Sequence, residues 1–311
     1  MYYLLKKEGF NEFVEHLIAN FNVVAPVMDK KDKMSRFSLL KKGDSSSIVF
    51  EIPQYPVKDF FFPIKERLFD FTRESINATV TGQEKTVFLM NRCDVNAVHR
   101  NDLIMLSDPV DPYYKKKRDS AVLVELPCVE SEKCRCVNIG LIDCYDLKLI
   151  DSGKSFIIDA ANEKGEQLIQ GLGLKKTEYR KEPHYEYKGK EVKTDNKGVW
   201  DQYAKDCFSC SACTAVCPTC ICFTIEQHLD LDCASGHNHR RWASCQLQEF
   251  TKVAGGFTFR KERGARGKQR IHCKFIYFKE KFGYPRCVGC GRCNAACPVG
   301  INIYKYFEEL K

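Results

Sequence analysis

Nowhere in its 311 residues does the chain carry an apolar run near the ~18 that a membrane-spanning helix needs; its most apolar stretches, such as FFFPI at 60–64, are short. The opening segment MYYLLKKEGF places Lys6 and Lys7 where a signal peptide would run uninterrupted and apolar, so a cytoplasmic chain with no membrane partner is expected. Nucleotide motifs are missing as well. Gly171 and Gly173 are followed by Lys175 and Lys176 rather than a third glycine of G-x-G-x-x-G, and Gly153-Lys154-Ser155 has Lys148 where a P-loop needs glycine. No G-x-S-x-G occurs. Nicotinamide binding, nucleotide hydrolysis and serine-nucleophile chemistry thus have no visible home, and no catalytic residue is assigned. With 12% aromatic residues, general disorder is excluded too.

What the chain has in excess is cysteine, 18 residues of it. Disulfide scaffolds are usually short and exported, whereas so many thiols in a long reduced chain point to metal or redox work. The formal net charge of +8 needs one correction. Residues 252–286 hold 11 Lys and Arg against Glu262 and Glu280, so the remainder is almost neutral. A four-thiolate cubane carries a formal charge of about −2, and three of them would bring the total to about +2. The basic block reads as an offset to buried cluster charge, not as a nucleic-acid footprint, because no reader motif accompanies it.

Phe10, Phe13, Val14, Leu17, Ile18 and Phe21 recur at helical spacing, predicting a helix over 9–21. Strand-like runs follow at 23–27, 37–40, 48–52, 86–90 and 121–126. Helices are expected at 64–71 and 95–106, the latter capped by Asp94. A strand at 156–159 and a helix at 163–172 complete an α/β pattern. The predicted organisation is an α/β domain over 1–175, a charged linker over 176–199, and a bacterial-type dicluster ferredoxin domain over 200–311. That second domain, α+β and irregular, would carry a helical, basic insertion at 223–286.

Thirteen of the cysteines lie in 207–297, where CFSCSACTAVCP (207–218) is repeated as CVGCGRCNAACP (287–298). Both follow C-x2-C-x2-C-x3-C-P, the run that holds [4Fe–4S] clusters. Three close thiolates wrap one face of a cubane, small residues let amides approach its sulfides, and the fourth cysteine points to the other cluster. One cluster is therefore expected on Cys207, Cys210, Cys213 and Cys297, the other on Cys287, Cys290, Cys293 and Cys217. Zinc favours paired C-x2–4-C arms instead. Two look-alikes fall away: Cys213, Cys217 and Cys220 spell the radical-SAM spacing only because the run is followed by P-T-C, and Cys128 and Cys134 give half of a sirohaem motif without its partner.

Outside the repeat, Cys93 and Cys128 each follow an apolar run and would sit at the C-terminal edge of a sheet, where ligand sites gather. With Cys134 and Cys136 they form a candidate third [4Fe–4S] set; Cys93 and Cys144 also read as small buried residues. Cys220, Cys222 and Cys245, the last on a helix expected near Trp242, are candidate further ligands, short of a fourth thiolate unless Cys144, Cys233 or Cys273 joins. Cys233, His237 and His239 read as a solvated polar loop.

The segments KDFFFPIKERLF (58–69), RCDVNAVHRND (92–102), DPYYKKKRDSAVLVELPC (111–128), CRCVNIG (134–140), CPTCIC (217–222), RRWASC (240–245) and FTKVAGGFTFRKERG (250–264), followed by CVGCGRC (287–293), carry a family likeness. Together they resemble the iron–sulfur electron-transfer subunit of anaerobic sulfite reductase and, more distantly, the beta subunit of archaeal sulfhydrogenases. The resemblance implies a non-catalytic electron-transfer subunit relaying electrons from a flavin/NADH subunit to a sirohaem subunit that reduces sulfite to sulfide. The alternative it implies is the iron–sulfur subunit of a cytoplasmic hydrogenase or sulfhydrogenase; an iron–sulfur nucleic-acid binder is the reading from another class. Two departures stand out: Cys273, at a place where the family is not expected to carry cysteine, and Arg135 where an aromatic is expected.

Overall fold

The computed structural model describes residues 1–80, 82, 84–129, 131–180, 196–231 and 233–310. Two compact units divide the chain. The first comprises the described residues of Met1–Val57, Gly82–Cys134 and Leu141–Tyr185, the second those of Lys58–Thr81, Arg135–Gly140 and Glu186–Lys311. Among the described residues no helix is long and apolar enough to cross a membrane.

The first unit is built on an eight-stranded mixed sheet. Its strands are β1 (Tyr2–Lys6), β2 (Asn22–Met28), β3 (Ser35–Leu39), β6 (Thr86–Asn91), β7 (Ala121–Leu126), β8 (Leu147–Asp151), β9 (Ser155–Ala160) and β10 (Lys175–Lys176). Their order is β10-β1-β9-β8-β7-β6-β2-β3, with parallel pairing from β2 through β6 and β7 to β8. All six residues of β6 and of β7 are buried, as a parallel strand covered on both faces requires. Helix α1 (Phe10–Asn20) lays Phe10, Phe13, Val14 and Leu17 into this core. Helices α3 (Arg92–Met105), α4 (Pro112–Asp119) and α5 (Glu163–Ile169) complete the unit. At Gly165 of α5 a Cβ would come 2.1 Å from the Asp146 carbonyl oxygen, so only glycine permits this approach.

Several expectations change here. Residues 48–52 form only an isolated bridge from Ile48 to Val27. Helix α3 starts earlier than expected, with Asn91 in the capping position, and Asp94 is buried inside its first turn instead of capping it. The expected linker 176–199 falls mostly on residues 181–195, outside the described ones, and a helix begins within it at Lys197.

The second unit holds an antiparallel sheet in the order β11-β12-β4-β5, from β4 (Lys65–Phe71), β5 (Ile76–Ala78), β11 (Phe223–Leu229) and β12 (Gly236–Trp242). Residues 64–71, expected to be helical, are therefore strand β4. β12 supplies its ladder from about 170 positions later in the chain, and tertiary pairing overrides the local pattern. Helix α2 (Lys58–Phe61) leads into it. The Trp242 indole donates to the Phe62 carbonyl at 2.8 Å, the Lys58 ammonium lies 3.6 Å from the Trp242 ring centroid, and buried Arg240 pairs with Glu66 at 2.5 Å. The insertion 223–286 is thus not wholly helical: its first part is the β11–β12 hairpin, and its helices α8 (Arg263–His272) and α9 (Phe278–Phe282) come later, joined by a π-helical turn at Cys273–Tyr277. Helices α6 (Lys197–Asp206), α7 (Ala212–Ala215), α10 (Arg292–Ala295) and α11 (Ile303–Glu308) frame the cysteine runs.

Candidate metal centres

The two cysteine runs fold alike because their spacing imposes the same backbone. Ser209 and Ser211 take φ of 57° and 69°, and their counterparts Gly289 and Gly291 take 70° and 74°. Each pair flanks the second cysteine and turns backbone N–H groups inward, forming an anion-binding nest. The same hydrogen bond closes each loop: Ser209 N–H to Cys207 Sγ at 3.3 Å, and Gly289 N–H to Cys287 Sγ at 3.4 Å. Short helices α7 and α10 then carry the third cysteine of each run.

Gly289 is constrained twice over. A Cβ there would meet the Cys136 backbone nitrogen at 2.5 Å, and Arg135 N–H donates to the Gly289 carbonyl at 2.7 Å. Gly289→Ala is expected to cost at least ~2 kcal/mol in denaturant unfolding, since the left-handed backbone and the clash add. Ser209→Gly should be neutral or stabilising by up to ~1 kcal/mol, because it relieves a left-handed serine.

Two cavities lie beneath these loops. One, about 420 Å³ of atom-free space, is lined by Cys207, Cys210 and Cys213 of the first run and by Cys297 of the second, with Cys293 at its wall. The other, about 320 Å³, is lined by Cys287, Cys290 and Cys293 of the second run and by Cys217 of the first. Each cavity therefore gathers three cysteines from one run and the fourth from the other. Cys293 and Ile303 border both. Phe208 and Cys210 on the rim of the first are exposed.

The electrostatics suit an anionic occupant. Arg270, Lys274 and Arg286 are buried, and among the described residues none pairs with a carboxylate. Arg270 donates to the Cys213 carbonyl oxygen at 3.0 Å and to Cys220 Sγ at 3.6 Å, while its Nε has no partner. The Lys274 ammonium meets Thr219 Oγ1 at 2.7 Å; burial pulls its pKa down, but the Cys217 and Cys220 thiolates more than offset that and hold it raised. Isolated buried cations are costly, and a thiolate-ligated cluster of net negative charge is the compensation this donor set fits. Three of the thiols are held protonated without a metal: burial pushes Cys213, Cys287 and Cys293 up, with Arg270 opposing at Cys213 and the Tyr304 hydroxyl opposing at Cys287, whereas a hydrogen bond with Cys220 holds Cys217 well down. Four of the eleven basic residues in 252–286 thus point inward, Arg266 included.

Of the further candidates, Cys220 and Cys222, just before β11, come together in the second unit with Cys245, which sits on a turn after β12 and not on the expected helix. The Cys222 thiol hydrogen-bonds Cys245, which raises Cys222 and holds Cys245 at about 6, and Cys273 also acts on Cys222. Arg286 donates to Cys273 Sγ at 3.4 Å. Cys273 thus joins the thiol group although the family resemblance makes it a departure; its one local signal is that it precedes the buried Lys274. Cys93, Cys128 and Cys134 belong to the first unit, Cys136 to the second. In the first unit Asn91 of β6 pairs with Leu126 of β7, so Cys93 and Cys128 follow adjacent strand ends as expected. Cys93 is buried, Cys128 exposed. Burial pushes the Cys144 thiol up to about 12, and it donates to the Ile142 carbonyl as a packed thiol.

Residues 206–301 match the family model of the 4Fe-4S dicluster domain. This chain carries an iron–sulfur domain. Over its whole length, and 98% of the other chain, it is 28% identical to sulfhydrogenase 2 subunit beta of Pyrococcus furiosus. No solved structure matches it. The relative's name fits the hydrogenase alternative better than the sulfite-reductase expectation.

Proposed function

We propose that this chain is the iron–sulfur electron-transfer subunit of a hydrogenase-type oxidoreductase complex, holding one [4Fe–4S] cluster on Cys207, Cys210, Cys213 and Cys297 and another on Cys287, Cys290, Cys293 and Cys217. The observation that carries this is the pair of cavities, each lined by three cysteines of one run and the fourth of the other. A bound cluster supplies a one-electron couple. The chain's own residues do the rest. The inward N–H groups at Ser209 and Gly289 and the cations Arg270 and Lys274 stabilise negative charge, while the burial of Cys207 and Cys293 keeps water from much of the ligand shell. The wall shared through Cys293 gives a short path between the sites, and the exposed rim at Phe208 and Cys210 offers a place to exchange electrons with a partner.

Full-length similarity to a sulfhydrogenase beta subunit supports the hydrogenase complex. Anaerobic sulfite reductase, with partners that bind flavin and NAD on one side and sirohaem on the other, is the second reading, favoured by the segments at 58–69, 111–128 and 250–264. Anaerobic purification of the native complex separates them. Hydrogen oxidation by the co-purifying subunits is the expected result; a sirohaem spectrum with sulfite reduction would move the chain to the second reading.

Whether a third cluster exists is decided by iron content. Cys134→Ser with Cys136→Ser tests the set Cys93, Cys128, Cys134 and Cys136, and Cys222→Ser with Cys245→Ser tests Cys220, Cys222 and Cys245. The double substitution that hits true ligands should remove about four irons per chain and the other none.

A further inference from the structure

We propose that the face of the β11–β12 hairpin carries a three-histidine site for a divalent first-row cation such as Zn2+, formed by His228, His237 and His239 and separate from the cysteine cavities. The strand register builds it. His228 lies opposite His237 across the antiparallel pair, and His239, two residues further along β12, returns to the same face opposite Glu226. The three rings lie 4.7–5.4 Å apart between centroids, and one ligand nitrogen from each falls within 4.8 Å of the other two. Tetrahedral ligation at Zn–N distances of 2.0–2.1 Å needs nitrogens about 3.3 Å apart, which rotation about the imidazole side-chain torsions supplies.

Nothing else claims these imidazoles. Among the described residues none of the three makes a side-chain hydrogen bond or ion pair; their ring contacts are with one another. Nδ1 of His239 is buried without a partner. The carboxylates nearest in register are already engaged: Asp70, opposite His237, by Arg67 at 2.5 Å, and Glu226 by Arg241 at 2.5 Å. The donor set is therefore three imidazoles, with a fourth position open to water. Imidazole ligation of this kind selects zinc, copper, nickel or cobalt over calcium or magnesium. A cation bound there would tie β11 to β12 beside the connecting turn, one pair in from Leu229 and Gly236, and fix the hairpin's register. Cys233, grouped with His237 and His239 by sequence proximity, is exposed on the connecting turn and is not a ligand here; His228 takes its place.

The test uses the full chain with its clusters reconstituted anaerobically, freed of loose metal with a chelating resin and titrated with Zn2+ alone. One equivalent should bind, with X-ray absorption at the zinc edge giving only nitrogen or oxygen neighbours near 2.0 Å. In the His237→Ala, His239→Ala double variant affinity should fall at least ~100-fold, with iron content and circular dichroism unchanged. His228→Gln should weaken it in the same direction. Sulfur neighbours near 2.3 Å, or zinc affinity unchanged in both variants, would overturn the site.

Discussion

Serine substitutions within the two runs should fall into two spectroscopic groups that ignore sequence order. Cys213→Ser and Cys297→Ser are expected to impair one cluster, and Cys293→Ser and Cys217→Ser the other, although Cys213 and Cys297 stand 84 positions apart. Each variant should lose up to about four irons from its own cluster and leave the second signal intact in EPR of the dithionite-reduced protein. The reason is the lining of the cavities: Cys297 faces the first run's three cysteines, and Cys217 faces those of the second. If Cys217→Ser and Cys213→Ser instead gave the same defect, each cluster would be ligated within one run and the crossed assignment would fail.

The second large effect is expected at Arg270. Its guanidinium is 1% exposed, lines the cavity of Cys287, Cys290, Cys293 and Cys217, and touches Cys220 Sγ and the Cys213 carbonyl. Burial alone would lower its pKa, but the neighbouring sulfurs of Cys213, Cys220 and Cys217 hold it raised, so it stays charged. A unit charge a few Å from a cluster, at an effective dielectric of about 20, is worth about 3 kcal/mol, or on the order of 100 mV for one electron. Arg270→Met should therefore lower the potential of at least one cluster by about that amount in an EPR-monitored redox titration, and Arg270→Lys should recover most of it. A shift under about 20 mV in Arg270→Met would mean that the charge is screened and the residue only packs. Chelating the iron away would leave Arg270, Lys274 and Arg286 buried without the charge of a cluster beside them. The iron-free protein is expected to unfold at markedly lower denaturant than the iron-loaded one.

How much of this was legible before the fold was known differs from residue to residue. The two cysteine runs that line the cavities were, because both copies keep the C-x2-C-x2-C-x3-C-P spacing. Strands β6 and β7 and helix α1 were too, since their apolar runs and 3.6-residue period are local signals. Residues 64–71 misled because Ile64, Leu68, Phe69 and Phe71 imitate a helical face, while what makes them a strand is a partner near residue 240. The histidine site was hidden for the same reason. His237 and His239 are visible as neighbours, but His228 joins them only once β11 and β12 pair in this register. The inward turn of Arg270 and Lys274 was anticipated only as a net charge, without saying which cations are buried.

The eighty-position offset between the two runs has a consequence for how the protein is made. At roughly 5–20 residues per second, Cys207, Cys210 and Cys213 leave the ribosome about 4–17 s before Cys297 does. Neither run can close a four-thiolate shell from its own cysteines as the cavities are lined, so during that interval the nascent chain offers incomplete sites with exposed thiols. If the clusters are ligated as proposed, the second shell can be completed only after Cys293 has emerged and the first only after Cys297. Under the crossed assignment, a chain stopped before Cys293 would complete neither shell, and one stopped between Cys293 and Cys297 only the second.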